Sequence, residues 1–116
     1  MEYEERFRGT DIKTGYSLSE EEIERYLSII ISCPVIFENN YKVVNLIIHK
    51  ISSDYVKFNG MVAWNDPKRY GGFCIDGVID FKNKIIDFGT AVGKKDFGYQ
   101  TINFEDLISG EGKVKK

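Results

Sequence analysis

Three carboxylates could do chemistry together if the strands that carry them are neighbours. Asp76, Asp80 and Asp87 lie in two apolar segments joined by a tight turn. A turn centred on Asn83 and Lys84 sets Asp80 directly across from Asp87. Paired carboxylates can hold a hard cation or act as general acid and base.

The same side chains also fit a solvated ladder of alternating charges. Lys57 would lie beside Asp80, and His49 beside Lys57, and such rows are common on exposed sheet faces. We favour the ladder, and therefore predict no metal, no cofactor and no catalytic residue.

A nucleophilic cysteine is the second chemical candidate, with Cys74 as nucleophile and His49 as its base. Cys74 begins its strand at one end of the sheet, whereas His49 lies near the other end of its own strand, and each residue adds about 3.3 Å of rise. Cys74 also has apolar neighbours, which keep a thiol protonated. We predict a packing residue that a mild alkylating agent does not label.

Positive charge and aromatic rings gather in three connections that should meet. In an up-and-down meander alternate connections emerge at the same end of the sheet, so residues 39–41, 65–72 and 93–98 are expected to cluster at what we call the loop end. The candidate binding residues there are Tyr41, Trp64, Lys68, Arg69, Tyr70, Lys94, Lys95, Phe97 and Tyr99. Cations interleaved with rings suit an acidic protein surface or a flat anionic ligand. Alternatively, the charges are merely solvated and the rings close the core.

A helix is the first element needed to position these residues. Ser19 and Glu22 form a capping box, and Leu18 can staple onto Ile23. Pro34 ends the helix near Ser32. The buried face is predicted to comprise Ile23, Tyr26, Leu27, Ile30 and Ile31.

The apolar period then changes from helical to two, which indicates strands. We predict strands at 35–38, 42–51, 55–64, 73–81, 85–92 and 99–102, and a short helix from Asn103 to Leu107. Residues 1–16 should form an extended arm and residues 111–116 a frayed tail. The predicted fold is α+β: one N-terminal amphipathic helix packed on a four- to six-stranded antiparallel β-meander, a curved sheet or partial barrel, with a short C-terminal helix.

Alternation along the strands assigns side chains to the two faces of the sheet. An even-length turn pairs Phe81 with Ile86. The face under the helix is predicted to carry Val44, Leu46, Ile48, Val56, Phe58, Val62, Trp64, Phe73, Ile75, Ile79, Phe81, Ile86, Phe88 and Val92. Val43, Ile47 and Ile51 should point away from it, covered by the arm, by the C-terminal segment or by a second subunit, which leaves a homodimer open.

Composition limits the class of protein. The 116 residues, 42% hydrophobic and 29% charged, fit one globular domain. Residues 1–40 carry 4 basic and 9 acidic side chains, net −5, and the remainder 12 and 9, net +3. The overall charge of −2 disfavours general nucleic-acid binding. No membrane span or secretory signal is visible, and two isolated cysteines suit a reducing cytoplasm.

These observations favour binding over catalysis. The leading expectation is a small non-enzymatic protein that docks on another protein and modulates it, as inhibitors, immunity proteins and phage counter-defence proteins do. The alternative is a protein that binds or sequesters a nucleotide or another anionic small molecule. The nonapeptide from Phe7 to Gly15 is similar to the opening of phage proteins of the YopX type, a likeness of nine residues that implies no function.

Overall fold

A computed structural model describes residues 9–14 and 18–108. The elements in chain order are β1 (Asp11–Thr14), α1 (Glu20–Ile31), α2 (Pro34–Phe37), β2 (Tyr41–Ser52), β3 (Tyr55–Trp64), β4 (Gly72–Asp80), β5 (Ile85–Val92), β6 (Lys95–Asn103) and a 3₁₀ turn (Phe104–Asp106). The strands form one open sheet in the order β1 to β6. The α+β fold with an N-terminal helix on a mostly antiparallel meander is therefore confirmed.

Helix α1 begins as its sequence predicts. The Ser19 side chain accepts a hydrogen bond from the Glu22 amide, and Glu22 accepts one from the Ser19 amide in return, both at 3.1 Å. The helix ends at Ile31, with Ser32 as its C-cap. Four residues of the predicted face, Tyr26, Leu27, Ile30 and Ile31, are buried, whereas Ile23 is only partly buried. Ile29 is fully buried as well, so the C-terminal half of α1 is covered more widely than its strict periodicity indicates.

Strand β1 lies in the segment predicted to be an extended arm. It pairs in parallel with β2, with Asp11 opposite Asn45 and Thr14 opposite Ile48. The Thr10 hydroxyl donates to the Val43 carbonyl at 2.7 Å. The arm's remaining residues, 1–8, 15 and 16, and the predicted tail at 111–116 lie outside the described ranges.

The predicted strand at 35–38 is wrong, because Pro34–Phe37 forms the short helix α2. Pro34 occupies its first turn, where the fixed φ favours a helix and the missing N–H is not needed. The Asn39 side chain donates to the Val35 carbonyl at 2.8 Å and so occupies a carbonyl at the end of the turn.

A bulge in β2 corrects the assignment of side chains to faces. Pairing of β2 with β3 shifts between Val43 and Asn45, so Val43 is buried in the core while Val44 is exposed. The inserted residue reverses the alternation at this end of β2. Pairing of β5 with β6 also shifts, but there the extra residue lies in β6. Val92, predicted to lie under the helix, is exposed at the end of β5.

The turn between β4 and β5 has four residues, 81–84. Asp80 lies opposite Ile85, and Ile79 opposite Ile86. The predicted pairing of Phe81 with Ile86 is therefore wrong by two residues, because Ile86 faces Ile79. An even number of turn residues keeps the faces as predicted, and Ile75, Ile79, Ile86 and Phe88 all lie in the core.

The core lies between α1 and one face of the sheet. Gly77 pairs with both Phe58 and Phe88, whose ring centroids are 6.0 Å apart. The absence of a Cβ at Gly77 leaves room for the Phe58 ring. After β6, Phe104 and Leu107 are buried, and the Ile108 amide donates to the Ser32 carbonyl at 2.9 Å, which ties the chain back to the end of α1.

No helix in the described part of the chain is long and apolar enough to cross a membrane.

Candidate functional site

Strand pairing brings the three predicted connections to one end of the sheet. Tyr41 lies opposite Trp64, so β2 begins where β3 ends. The β3–β4 loop and the β5–β6 turn open at the same end. The Asn65 amide donates to the Asn40 carbonyl at 3.0 Å and joins the first two connections.

An aromatic cluster lies at the helix side of the loop end. The Tyr41 ring lies 4.5 Å from Trp64 and 4.9 Å from Phe73, centroid to centroid. The Arg69 guanidinium stacks 3.8 Å above the Trp64 ring, a separation typical of a cation–π contact. These contacts hold the cation of Arg69 on a platform that is itself half-buried.

A hydrogen-bonded turn shapes the loop that carries Arg69. The Asp66 carboxylate accepts from the Lys68 amide at 2.9 Å, and the Asp66 carbonyl accepts from the Arg69 amide at 3.0 Å. Tyr70 follows with 92% of its surface exposed. Asp66 was not among the predicted site residues, although an Asp before Pro is a common turn signal.

The β5–β6 turn holds a second group of predicted residues. Lys94 and Lys95 are exposed, and the Lys95 ammonium lies 5.3 Å from the centroid of Phe97, which is 56% exposed. Asp96 accepts from the Gly98 amide at 2.7 Å, and Gly98 has a φ of +79° that only glycine adopts readily. This bond fixes the bulge in β6.

Tyr99 lies apart from the aromatic cluster of Tyr41 and Trp64. It lies opposite Gly89 and donates its hydroxyl to Asp76 at 2.5 Å, on the sheet face remote from α1. This hydrogen bond raises the pKa of Tyr99. The structure thus joins Tyr41, Trp64 and Arg69, forms a second group in the β5–β6 turn, and directs Tyr99 elsewhere.

No two of the carboxylates Asp76, Asp80 and Asp87 lie opposite each other. Asp87 lies opposite Val78, so the predicted pairing of Asp80 with Asp87 is wrong, as is the placement of Lys57 beside Asp80, because Lys57 also faces Val78. No group of three or more metal-ligating side chains occurs within residues 9–14 and 18–108.

Each carboxylate has a local partner instead. Asp80 accepts from the amides of Lys82 and Asn83, both at 3.0 Å, and these bonds, the one from Asn83 foremost, lower the pKa of Asp80. Asp87 accepts from the Thr101 hydroxyl at 2.7 Å.

The cysteine and histidine also lie apart. Cys74 pairs with Met61 while His49 pairs with Lys57, four residues or about 13 Å along β3. Cys74 is exposed, so its predicted role as a packing residue is wrong. Cys33 is the buried thiol, and burial raises its pKa.

Comparison with known proteins finds no matching family model, no matching curated protein and no matching solved structure.

Proposed function

We propose that this protein binds another protein through its loop end and modulates that partner. The observation that carries the proposal is the exposed Tyr70, 92% accessible, next to a guanidinium that is held in place on Trp64. Tyrosine, tryptophan and arginine are the residues most enriched among energetically dominant interface positions. A fixed cation beside an exposed ring can anchor a partner with little loss of side-chain entropy.

Charge at the loop end indicates an acidic partner surface. The loop end together with the adjacent Lys42 carries five cationic side chains against two acidic ones. Both acidic side chains, Asp66 and Asp96, accept hydrogen bonds from backbone amides in their own turns. The cations therefore dominate the outward-facing charge, which would speed association with an acidic surface.

The geometry favours a protein over a nucleotide at this end. Arg69 covers one face of Trp64, and Tyr41 packs against the same indole, so the indole is poorly placed to stack on a base. The carboxylates that a hydrolase would need also have structural partners. The proposal therefore places the chain with small modulators such as inhibitors, immunity proteins and counter-defence proteins.

A charge-reversal comparison tests the proposal. Tagged wild-type protein, a Lys68→Glu/Lys94→Glu variant and a Lys82→Glu/Lys84→Glu control are used to capture proteins from extracts of the native cell. The control places the same charge change on exposed lysines of the turn at the opposite end of the sheet. We expect one protein to be retained by wild type and control, and its affinity for the loop-end variant to fall at least about tenfold.

Two results would contradict the proposal. One is that no protein is retained specifically, and the other is that both double variants retain it equally. A thermal-shift screen with mono- and cyclic nucleotides tests the small-molecule alternative, since a ligand at about 100 times its dissociation constant stabilises by about 2.7 kcal/mol.

A further inference from the structure

The sheet face remote from α1, here called the outer face, has a central row of side chains fixed by strand register. Ile47, Asn59, Asp76, Gly89 and Tyr99 follow one another across β2 to β6. This row brings an apolar side chain, an amide, a carboxylate and a phenol together without any loop. Groups held on strands keep their spacing better than groups on loops.

Two concavities meet along this central row. One of about 700 Å³ and one of about 410 Å³ are both lined by Asn59, Asp76 and Tyr99. Small-molecule sites typically occupy about 300–1,000 Å³. Of the nine residues predicted at the loop end, only Tyr99 lines either concavity, so the outer face is distinct from the proposed docking surface.

Tyr99, packed over Gly89, lines both concavities. A Cβ on Gly89 would lie 2.7 Å from Tyr99 Cε1 and 2.7 Å from Asp76 Oδ1, so the tyrosine ring lies directly over the glycine. Its hydroxyl donates to Asp76 Oδ2, and 61% of the residue remains exposed. An aromatic ring thus lies packed on one side, tethered at its tip and open on the other side.

The next row adds oriented polar groups. Lys57, Val78, Asp87 and Thr101 follow one another across β3 to β6. The Thr101 hydroxyl donates to Asp87 Oδ1, as Tyr99 donates to Asp76. Both carboxylates are thereby oriented through one oxygen, and a carboxylate has further lone pairs with which to accept hydroxyl groups.

The balance of groups selects the chemical class of ligand. Asp76, Asp87 and Asp96 line the concavities against the cation Lys57 and the imidazole His49, a balance that disfavours phosphates and other anions. Carboxylates accept hydrogen bonds, the ammonium donates them, and the Asn59 amide does both. An open ring face next to such groups matches a ligand with one apolar C–H face and many hydroxyls.

We infer that the outer face binds an uncharged polyhydroxylated ligand, a saccharide, with its C–H face against Tyr99 and its hydroxyls on Asp76, Asp87 and Asn59. This site uses none of Trp64, Arg69 and Tyr70, on which the proposed protein docking rests. The central row supplies the Tyr99 ring and the Asp76 carboxylate. The neighbouring row supplies the Asp87 carboxylate and the Lys57 ammonium as a hydrogen-bond donor.

Amide chemical shifts test the inference directly. The full chain, labelled with ¹⁵N, is titrated with glucose, N-acetylglucosamine, ribose and maltose, and with AMP and spermidine as charged comparison ligands, up to tens of millimolar. We expect at least one sugar to shift the signals of Asn59, Asp76, Gly89 and Tyr99 in a saturable manner. The signals of Trp64, Arg69 and Tyr70, which line neither concavity, should not move.

Variants at the ring separate stacking from a general structural effect. Tyr99→Ala should weaken sugar binding at least about tenfold, equal to about 1.4 kcal/mol. Tyr99→Phe keeps the ring and should weaken it less, while Tyr70→Ala, another exposed tyrosine, should leave it unchanged. Circular dichroism establishes that each variant is folded. The inference is overturned if no sugar gives a saturable shift, if only AMP or spermidine binds at these amides, or if folded Tyr99→Ala binds sugar as wild type does.

Discussion

Replacement of Gly77 by alanine should remove a large part of the folding stability. A Cβ at Gly77 would lie 1.9 Å from the Asp87 carbonyl oxygen and 2.8 Å from the Phe58 ring. Real Cβ atoms essentially never approach closer than 3.0 Å. Strand β5 must therefore move away from Gly77 until the distance from the Cβ to the Asp87 oxygen increases from 1.9 Å to at least 3.0 Å. The Phe58 ring must also move within a packed core.

The expected loss of stability follows from these displacements. Overpacking a core costs about 1–3 kcal/mol, and each hydrogen bond lost between β4 and β5 adds about 0.5–1.5 kcal/mol. Together they predict a loss of about 2–4 kcal/mol, out of about 5–15 kcal/mol for a typical domain. At about 4 °C per kcal/mol, the Tm should fall by about 8–16 °C.

Thermal and urea unfolding followed by circular dichroism measures the loss. Gly93→Ala is the matched control, because a Cβ on Gly93 would meet no atom within 4 Å, although its φ of +61° costs alanine about 1–2 kcal/mol. If Gly77→Ala is no less stable than Gly93→Ala, the steric reasoning is refuted.

Two further predictions concern titratable groups. The Lys50 ammonium, 2.7 Å from Glu22, and the Ser19 amide hold the pKa of Glu22 at about 2, below its ordinary 4.5. The stabilisation from ionised Glu22 is thus complete above pH 4.5 and lost as the pH falls toward 2. The urea midpoints of wild type and Glu22→Gln should therefore converge over that pH range. A difference between the two midpoints that stays constant with pH would contradict this. Native iodoacetamide labelling, read by mass spectrometry, should modify exposed Cys74 but leave buried Cys33 unmodified until denaturant is added; equal native rates would contradict the assigned burial.

Local signals in the sequence predict much of the fold. The capping box at Ser19 determines the start of α1, and Pro34 restricts its continuation, so both ends of the helix are confirmed. Period-two alternation locates β2 to β5 to within a residue or two at each end. These features depend on neighbouring residues alone, which is why composition and spacing are enough to find them.

Features that depend on distant pairing could not be predicted in the same way. Strand β1 exists because β2 offers it an edge 34 residues further along the chain. The bulge beside Val44 inserts one residue into a regular pattern, and no periodicity argument places such an insertion. The segment from Val35 to Phe37 has residues suited to a strand, but its position directly after Pro34 makes it a helical turn.

The candidate sites show the same division. The meander topology correctly predicts that the three connections lie at the same end of the sheet, because this follows from the order of the strands. The contact between Tyr99 and Asp76 depends on register across β4, β5 and β6. The predicted register of β4 and β5 is wrong by two residues, so it sets Asp80 opposite Asp87. In the structure Asp80 lies opposite Ile85.

Strand β6 lies at an edge of the sheet, which bears on whether copies of this protein associate edge to edge. Nine edge residues without a strand partner beyond them, in the chain that the structure describes, are a template on which copies could assemble into insoluble fibrils. The additional residue at Gly98 interrupts that template, and Asp96 maintains the interruption by accepting the Gly98 amide proton. A bulge in an edge strand hinders pairing with another copy of the chain, and one carboxylate holds this bulge in place.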